Sequence, residues 1–184
     1  VPMSFSPDGR FLAFERVNAR GTSEIWILPL QGERKPRAFL ETPHDEYMAR
    51  FSPDSRWLAY VSNENGSHEV FVRPFPGPGG RWQISTSGGV EPRWSPTGKE
   101  IFYRDDGKLF RVPVDGSSTA FVAGRPERYL EGMPMGGNPH TYDLAPDGRR
   151  VLALIYTESV AASRDPTLIL NWAAEVERLT TPGK

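Results

Sequence analysis

The chain has 184 residues, with 22 basic against 23 acidic residues for a net charge of −1, and it contains no cysteine. This composition excludes disulfides and thiolate chemistry, and the lack of a basic surplus argues against nucleic acid or an anionic membrane as a partner. No apolar run reaches the length of about 18 residues that a membrane span needs, so we expect no membrane insertion of this segment.

One four-residue motif recurs along the chain. Its copies are Ser6-Pro7-Asp8-Gly9, Ser52-Pro53-Asp54-Ser55, Ser95-Pro96-Thr97-Gly98 and Ala145-Pro146-Asp147-Gly148, at spacings of 46, 43 and 50 residues. Proline presets φ at the second position of a turn, aspartate caps the turn, and glycine takes the positive φ that follows, so each copy predicts a hairpin turn. A period of roughly 40–50 residues is typical of a four-stranded propeller blade.

The segments around each motif predict the strands of one blade, in the order A, turn, B, C, D. Strand A ends at an apolar residue before the motif, and strands B and C follow as short apolar runs. The expected B strands are Phe11–Phe14, Trp57–Tyr60, Ile101–Tyr103 and Val151–Leu154. The expected C strands are Ile25–Leu28, Val70–Val72, Leu109–Val112 and Leu168–Leu170. The expected D strands are weaker and are Pro36–Phe39, Arg81–Ser85 and Ala120–Val122. The last copy lacks a strand D, and residues 172–180 predict a short C-terminal helix instead.

These elements predict an all-β chain, a β-propeller fragment of four blades with an incomplete last blade, forming a single domain over residues 1–184. The expected blades span about residues 3–44, 45–87, 88–136 and 137–172. A β-sandwich would also have short strands, but it would not repeat one cassette at this period. Because Val1 and Pro2 stand almost inside the first repeat, we expect the chain to be a segment of a longer protein.

The repeat resembles the TolB-type, WD-repeat-like propeller family. The segments that carry the more specific part of this resemblance are Glu69–Gly77, Trp82–Ser85 and Gly88–Ser95. They are similar to the C-terminal propeller that follows a membrane-anchored Ser/Thr kinase domain, or a DNA-binding regulatory domain, in some bacteria. The resemblance implies a scaffold from a bacterial protein, with an extracytoplasmic location one option for the parent. It supplies no function, because function depends on sites that differ among proteins of one fold. The chain has no kinase signature, since it has neither a Gly-rich phosphate loop nor a His-Arg-Asp loop.

An arc of four blades is expected to leave two flat apolar faces bare. Propellers usually close into a ring, and a large apolar surface is seldom left in water. We therefore expect a homodimer in which two arcs form a ring of eight blades. The alternatives are a closed four-bladed monomer and an open array.

The sequence places one set of polar residues at the channel mouth formed by the D–A and B–C loops. His44, His68 and His140 are expected on this face, and with Asp45 they are candidate ligands for a divalent metal, zinc or manganese. The candidate ligand-binding residues there are Glu46, Glu91, Asp143, Met133 and Met135. A competing role for Glu91 is to bond backbone N–H groups at the channel wall. No local metal-ligand spacing supports the metal hypothesis.

Three functions are compatible with these features. The sequence favours a non-catalytic module that binds a small molecule or peptide at the channel mouth, within a sensor or regulatory protein. The alternative is a metal-dependent hydrolase of phosphoesters or esters, with a metal-activated water held by His44, Asp45, Glu46, Glu91 and His140. The third is a fragment that matters only for self-assembly. No Gly-x-Ser-x-Gly elbow or other nucleophile motif is present, so the sequence names no catalytic residue.

Overall fold

A computed structural model describes residues 1–118, 120–133 and 141–154, and within them all regular structure is β-strand. The strands form four antiparallel sheets that follow one another along the chain. The first sheet contains β1 (Pro2–Phe5), β2 (Phe11–Val17), β3 (Ser23–Pro29) and β4 (Arg37–Leu40), and the second contains β5 (Glu46–Phe51), β6 (Trp57–Ser62), β7 (Glu69–Pro74) and β8 (Trp82–Gln83). The third contains β9 (Val90–Trp94), β10 (Glu100–Asp105), β11 (Lys108–Asp115), β12 (Val122–Ala123) and β13 (Glu127–Glu131), and the fourth contains β14 (Tyr142–Leu144) and β15 (Val151–Ala153).

Each of the first two sheets is a simple meander in which neighbouring strands are consecutive in sequence. This is the architecture of propeller blades, and the predicted all-β, four-bladed propeller fragment is confirmed. The predicted strand at residues 168–170 and the helix at 172–180 lie outside the described residues. None of the described residues belongs to a helix with the length and apolar character needed to cross a bilayer.

The four motif turns are built alike. In each, the N–H of the fourth motif residue donates to the carbonyl of the first at 2.8 to 2.9 Å. That fourth residue has a φ near +65° in every copy, which glycine tolerates at no steric cost. The second copy carries Ser55 there, at a φ of 60°. The motif therefore dictates the same tight turn even where the sequence departs from it.

Successive motif turns contact one another. The N–H of Asp8 in the first turn donates to Ser55 Oγ in the second at 3.4 Å. A Cβ added to Gly148 in the fourth turn would lie 3.5 Å from Pro96 in the third, and the corresponding distance between the third and second turns is 3.6 Å. The four A–B turns therefore share one rim, as stacked blades require.

Strand β6 shows how one blade packs against two neighbours. Trp57, Ala59 and Val61 belong to the apolar cluster shared with the third blade, whereas Leu58 and Tyr60 belong to the cluster shared with the first. All six residues of the strand are buried. Since successive side chains of a strand point to opposite faces, a strand buried on both faces becomes a continuous apolar run. The core of this molecule thus consists of the layers between blades.

Two tryptophans link the second blade to the third by hydrogen bonds. Trp57 Nε1 donates to the carbonyl of Gly116 at 3.0 Å, and Trp94 Nε1 donates to the carbonyl of Arg50 at 3.0 Å. A buried indole usually has such an acceptor, because a buried N–H without a hydrogen bond destabilises the folded state. These bonds fix the angle between the blades and with it the position of strand A at the channel.

The outer strand of the third blade differs from the prediction. Sequence analysis expected it at residues 120–122, but β12 begins at Val122, and β13 continues the same edge of β11 after a break at Arg125 and Pro126. Proline has no N–H to donate to the ladder, so it interrupts the pairing there. The edge strand resumes because β11 is eight residues long, and the backbone N–H and C=O groups of its first half pair with β13.

Candidate functional site

A cavity of about 330 Å³ lies at the channel, at the end where the A–B turns gather. Strands A of the second, third and fourth blades each place one charged side chain in its wall. These are Arg50, Arg93 and Asp143, each standing two residues before the first residue of its motif. The rest of the lining comes from the turns and strand ends: Pro7, Phe51, Pro53, Trp94, Ser95, Pro96 and Leu144. The repeat therefore delivers three charges and an apolar lining to one place.

The two arginines give this cavity its electrostatic character. Burial, and next the charge of Arg93, lowers the pKa of Arg50 to about 10. Glu91 and Asp143 act in the opposite direction but do not cancel these effects. Arg50 therefore stays cationic at neutral pH while close enough to a second guanidinium to be repelled by it.

Glu91 joins the third blade to the fourth at the inner edge of the sheets. Its Oε1 accepts from the N–H of Thr141 at 2.7 Å, and its Oε2 accepts from Thr141 Oγ1 at 2.6 Å and lies 3.3 Å from Arg104 Nε. Its own carbonyl accepts from the Tyr142 hydroxyl at 2.7 Å. The side chains of Glu91 and Arg104 are 2% and 7% exposed. Both carboxylate oxygens thus serve the blade contact, and the bond from the Thr141 N–H is a backbone bond of the kind described by the competing role for Glu91.

The local backbone explains why Glu91 can reach across. It lies at a β-bulge of strand A and has a φ of 59°, and Met48 at the same place in the second blade has a φ of 54°. A bulge re-aims the side chain and increases local twist. At Glu91 it directs the carboxylate to the next blade, whereas Met48 at that position packs against the apolar cluster between the second and third blades.

Asp45 is also engaged in holding blades together. Its Oδ1 accepts from the N–H of Ser23 in the first blade at 3.0 Å, and its Oδ2 accepts from Asn63 Nδ2 at 3.1 Å. The N–H of Asp45 in turn donates to Asn63 Oδ1 at 2.9 Å. Both oxygens of this carboxylate thus accept hydrogen bonds, and the bond from Ser23 connects the first blade to the second.

The other residues predicted for the opposite mouth have different surroundings. The backbone N–H of His44 donates to Thr42 Oγ1 at 3.2 Å, and His68 is exposed with its ring edge-on to Tyr47 at 5.6 Å. Glu46 is 2% exposed; its Oε1 accepts from Thr42 Oγ1 at 2.5 Å, and its Oε2 has no hydrogen-bond partner among the described residues. Burial raises the pKa of the Glu46 carboxyl above its usual value.

The remaining candidate residues lie in three places: the core, the cavity and the part of the chain outside the described residues. Met133 is only 2% exposed, and its side chain packs with Phe102 and Tyr142 in the apolar cluster between the third and fourth blades. Asp143 is exposed but lines the cavity at the A–B turns, away from the mouth to which sequence analysis assigned it. Met135 and His140 lie outside the described residues. In the part of the chain that is described, no three His, Asp or Glu side chains are grouped as metal ligands.

Sequence analysis missed Arg50 and Arg93 as site residues. One signal could have found them, namely their common offset from the repeated turn. Residues at one offset in successive repeats occupy one height of the channel wall. The same offset also leads to Asp143 in the fourth copy.

No protein-family model matches the chain, and no curated protein matches it by sequence. Among solved structures it is similar to TolB from Acinetobacter baumannii, with 21% identity and a TM-score of 0.66 over 85% of this chain and 37% of that one. It is also similar to a putative TolB from Agrobacterium tumefaciens, with 17% identity and a TM-score of 0.56 over 69% of this chain and 47% of that one.

A third similar structure is the β-propeller domain of the Trilobed protease from Pyrococcus furiosus, described as having an open velcro topology. The identity is 20% and the TM-score 0.53, over 91% of this chain and 53% of that one. The chain spans less than half the length of both TolB structures. At these identities the similarity shows the fold, a β-propeller of the TolB type.

Proposed function

Taking this TolB-type β-propeller fold as the premise, we propose that the chain is a non-catalytic binding module whose channel holds a small molecule or peptide. The observation that carries the proposal is the 330 Å³ cavity into which three successive strands A deliver Arg50, Arg93 and Asp143. A concave, largely apolar site with a few convergent polar groups is the usual form of a ligand pocket. The carboxylates Asp45 and Glu91, in contrast, are occupied by hydrogen bonds between blades.

The binding function is tested by obstructing the cavity. A collection of small molecules and short peptides is screened by thermal shift, and compounds that raise the melting temperature are titrated against two variants. Asp143→Trp places a bulky ring in the cavity wall, and Val122→Trp places the same ring on an exposed position of the third blade's outer strand. We expect saturable ligands whose binding is lost in the first variant and kept in the second. Ligands that bind both variants equally would contradict a channel site.

The hydrolase alternative stays a prediction, since its candidate ligand His140 lies outside the described residues. It is measured separately, by metal analysis of the purified protein and by ester and phosphoester hydrolysis with and without a chelator. Turnover that the chelator abolishes, and that His44→Ala also abolishes, would replace the binding module with the enzyme. A metal-free protein without turnover supports the binding module.

We propose further that two copies of the chain close the ring. The face of the first blade that points away from the second carries the cross-strand pairs Leu12–Leu28 and Phe14–Trp26. These four side chains are partly exposed, although the opposite face of the same strands is buried against the second blade. This apolar surface has the composition of the layers between blades, and pairing with a second copy would remove it from water.

The dimer is tested by sedimentation equilibrium. We expect a mass of twice the chain's 20.6 kDa, falling to the chain mass in Phe14→Asp and unchanged in the control Val122→Asp. Val122 is 60% exposed on the outer strand of the third blade, so its charge change leaves the face of the first blade intact. A wild-type protein that sediments at 20.6 kDa at all concentrations would refute this part of the proposal.

A further inference from the structure

The cavity at the A–B turns has an excess of positive charge among its lining residues. Among the described lining residues, Arg50 from β5 and Arg93 from β9 are opposed by one carboxylate, the exposed Asp143. The nearby carboxylate of Glu91 is engaged by Thr141 in the contact between the third and fourth blades. The formal charges of these described lining residues sum to +1, and Arg50 and Arg93 are both partly buried.

Arg50 in particular is placed to receive an anion. In the ranges 1–118, 120–133 and 141–154, its guanidinium makes no hydrogen bond or ion pair, while its carbonyl is held by Trp94 Nε1. The backbone is therefore fixed and the charged end of the side chain is available. A half-buried guanidinium beside a second one is stabilised by any anion that bridges the two.

The size and lining of the cavity indicate what kind of anion fits. The volume of about 330 Å³ is at the lower end of the range of about 300–1,000 Å³ for small-molecule pockets. Beside the charges, the wall is formed by Phe51, Trp94 and Leu144, together with three prolines of the turns. These rings and aliphatic groups offer apolar contact to the body of a ligand whose charged end lies at the arginines.

We propose that this cavity binds a small organic anion, with a carboxylate or phosphate group between Arg50 and Arg93 and an apolar body against Trp94. The inference rests on the proposed binding function and narrows it to a class of ligand. A guanidinium presents its N–H groups as a planar fork that matches the oxygens of both anionic groups. Asp143 stands in the same wall and weakens the binding by repulsion.

The test uses three probes with the same phenyl body. Phenylacetate and phenyl phosphate carry the two candidate anionic groups, and phenylacetamide is a neutral isostere of the first. Each is titrated into the full chain by isothermal calorimetry, for the wild type and for Arg50→Gln, Arg50→Lys and Asp143→Asn. Glu131→Gln, which removes an exposed carboxylate from the outer strand of the third blade, is the matched control for the last variant. Circular dichroism confirms that each variant is folded.

We expect at least one of the two anions to bind and the amide not to bind, with affinity falling as salt is added. Loss of the guanidinium in Arg50→Gln should weaken binding about tenfold or more, since a charge-assisted hydrogen bond contributes about that factor. Arg50→Lys should retain part of the affinity. Asp143→Asn should strengthen binding severalfold, and Glu131→Gln should leave it unchanged. Opposite effects of removing a positive and a negative lining charge are not expected from a merely structural role.

The outcomes also separate this inference from the proposed function. Equal binding of phenylacetate and phenylacetamide would overturn the anion site and leave the binding module in place. Anion binding that Arg50→Gln does not change would overturn it as well. If neither anion binds, the inference fails, and the separate screen against the obstructed cavity still decides whether the channel binds a ligand of another class.

Discussion

Removing the Glu91 side chain is expected to loosen the fourth blade from the third. Glu91→Ala removes the acceptor of the Thr141 N–H and hydroxyl, and it removes the carboxylate that Arg104 contacts at 3.3 Å. All of these groups lie in a buried contact, where water does not replace the lost bonds. The perturbation therefore acts on the contact between blades and not on an exposed loop.

The magnitude follows from the burial of the pair. Breaking a buried ion pair by removing one member costs about 3–5 kcal/mol, and an unsatisfied buried N–H costs about 1–3 kcal/mol, with incomplete additivity. We expect a loss of about 4 kcal/mol in the free energy of unfolding of the fourth blade. The matched control is Glu127→Ala, which breaks a glutamate–arginine pair of 2.7 Å in the same blade, at positions 57% and 37% exposed. An exposed pair contributes no more than about 1 kcal/mol.

The assay combines urea denaturation, followed by tryptophan fluorescence, with hydrogen exchange. For an m-value of about 2 kcal/mol/M, a loss of about 4 kcal/mol lowers the midpoint by about 2 M if the chain unfolds as one unit. If the fourth blade opens separately, amides of β14 and β15 should exchange about a thousandfold faster while those of β2 and β3 are unchanged. Equal midpoints and equal exchange in Glu91→Ala and Glu127→Ala would refute the assignment of Glu91 to the blade contact.

The remaining predictions concern stability. Burial raises the pKa of the Glu46 carboxyl in the folded protein, so folding favours the protonated form. The contribution of this carboxyl to stability is therefore complete below its unfolded pKa of 4.5 and is lost as the pH rises through its folded pKa. Glu46→Gln should therefore be more stable than wild type at pH 7 and equal to it near pH 4 in urea titrations; a difference independent of pH would contradict this. Ser55→Gly should be neutral or stabilising by up to about 1 kcal/mol in thermal melts, because it relieves a positive φ, and a clear loss would mean that the 3.4 Å bond to Ser55 Oγ matters more. Phe75 is 9% exposed and packs edge-on against the rings of Phe11 and Phe51, so Phe75→Ala should lower the free energy of unfolding by about 3–5 kcal/mol in the same urea titrations. Phe5 is 65% exposed, and Phe5→Ala should lower it by less than about 0.5 kcal/mol; similar losses in the two variants would contradict the packing.

The strands around the motif turns could be predicted because their signals are local. A proline, a capping side chain and a residue of positive φ within four positions define the turn, and apolar runs on both sides then pair through it. Strands β2, β6 and β10 follow their turns as expected. The outer strand of the third blade was predicted poorly, because β13 pairs with β11 across a break and no turn motif marks where pairing resumes.

The sequence by itself determined the repeat, the hairpin of each copy and the stacking of blades, since these depend on residues a few positions apart and on short, continuous apolar runs. Only the tertiary structure decided which polar residues face a ligand. Asp45 and Glu91 are both acidic residues in the sequence, but each accepts hydrogen bonds from a partner in another blade, Ser23 and Thr141, which are 22 and 50 residues away. Arg50 and Arg93 come together because neighbouring blades bring equal positions of the repeat to one height of the channel, a convergence that depends on how whole sheets pack.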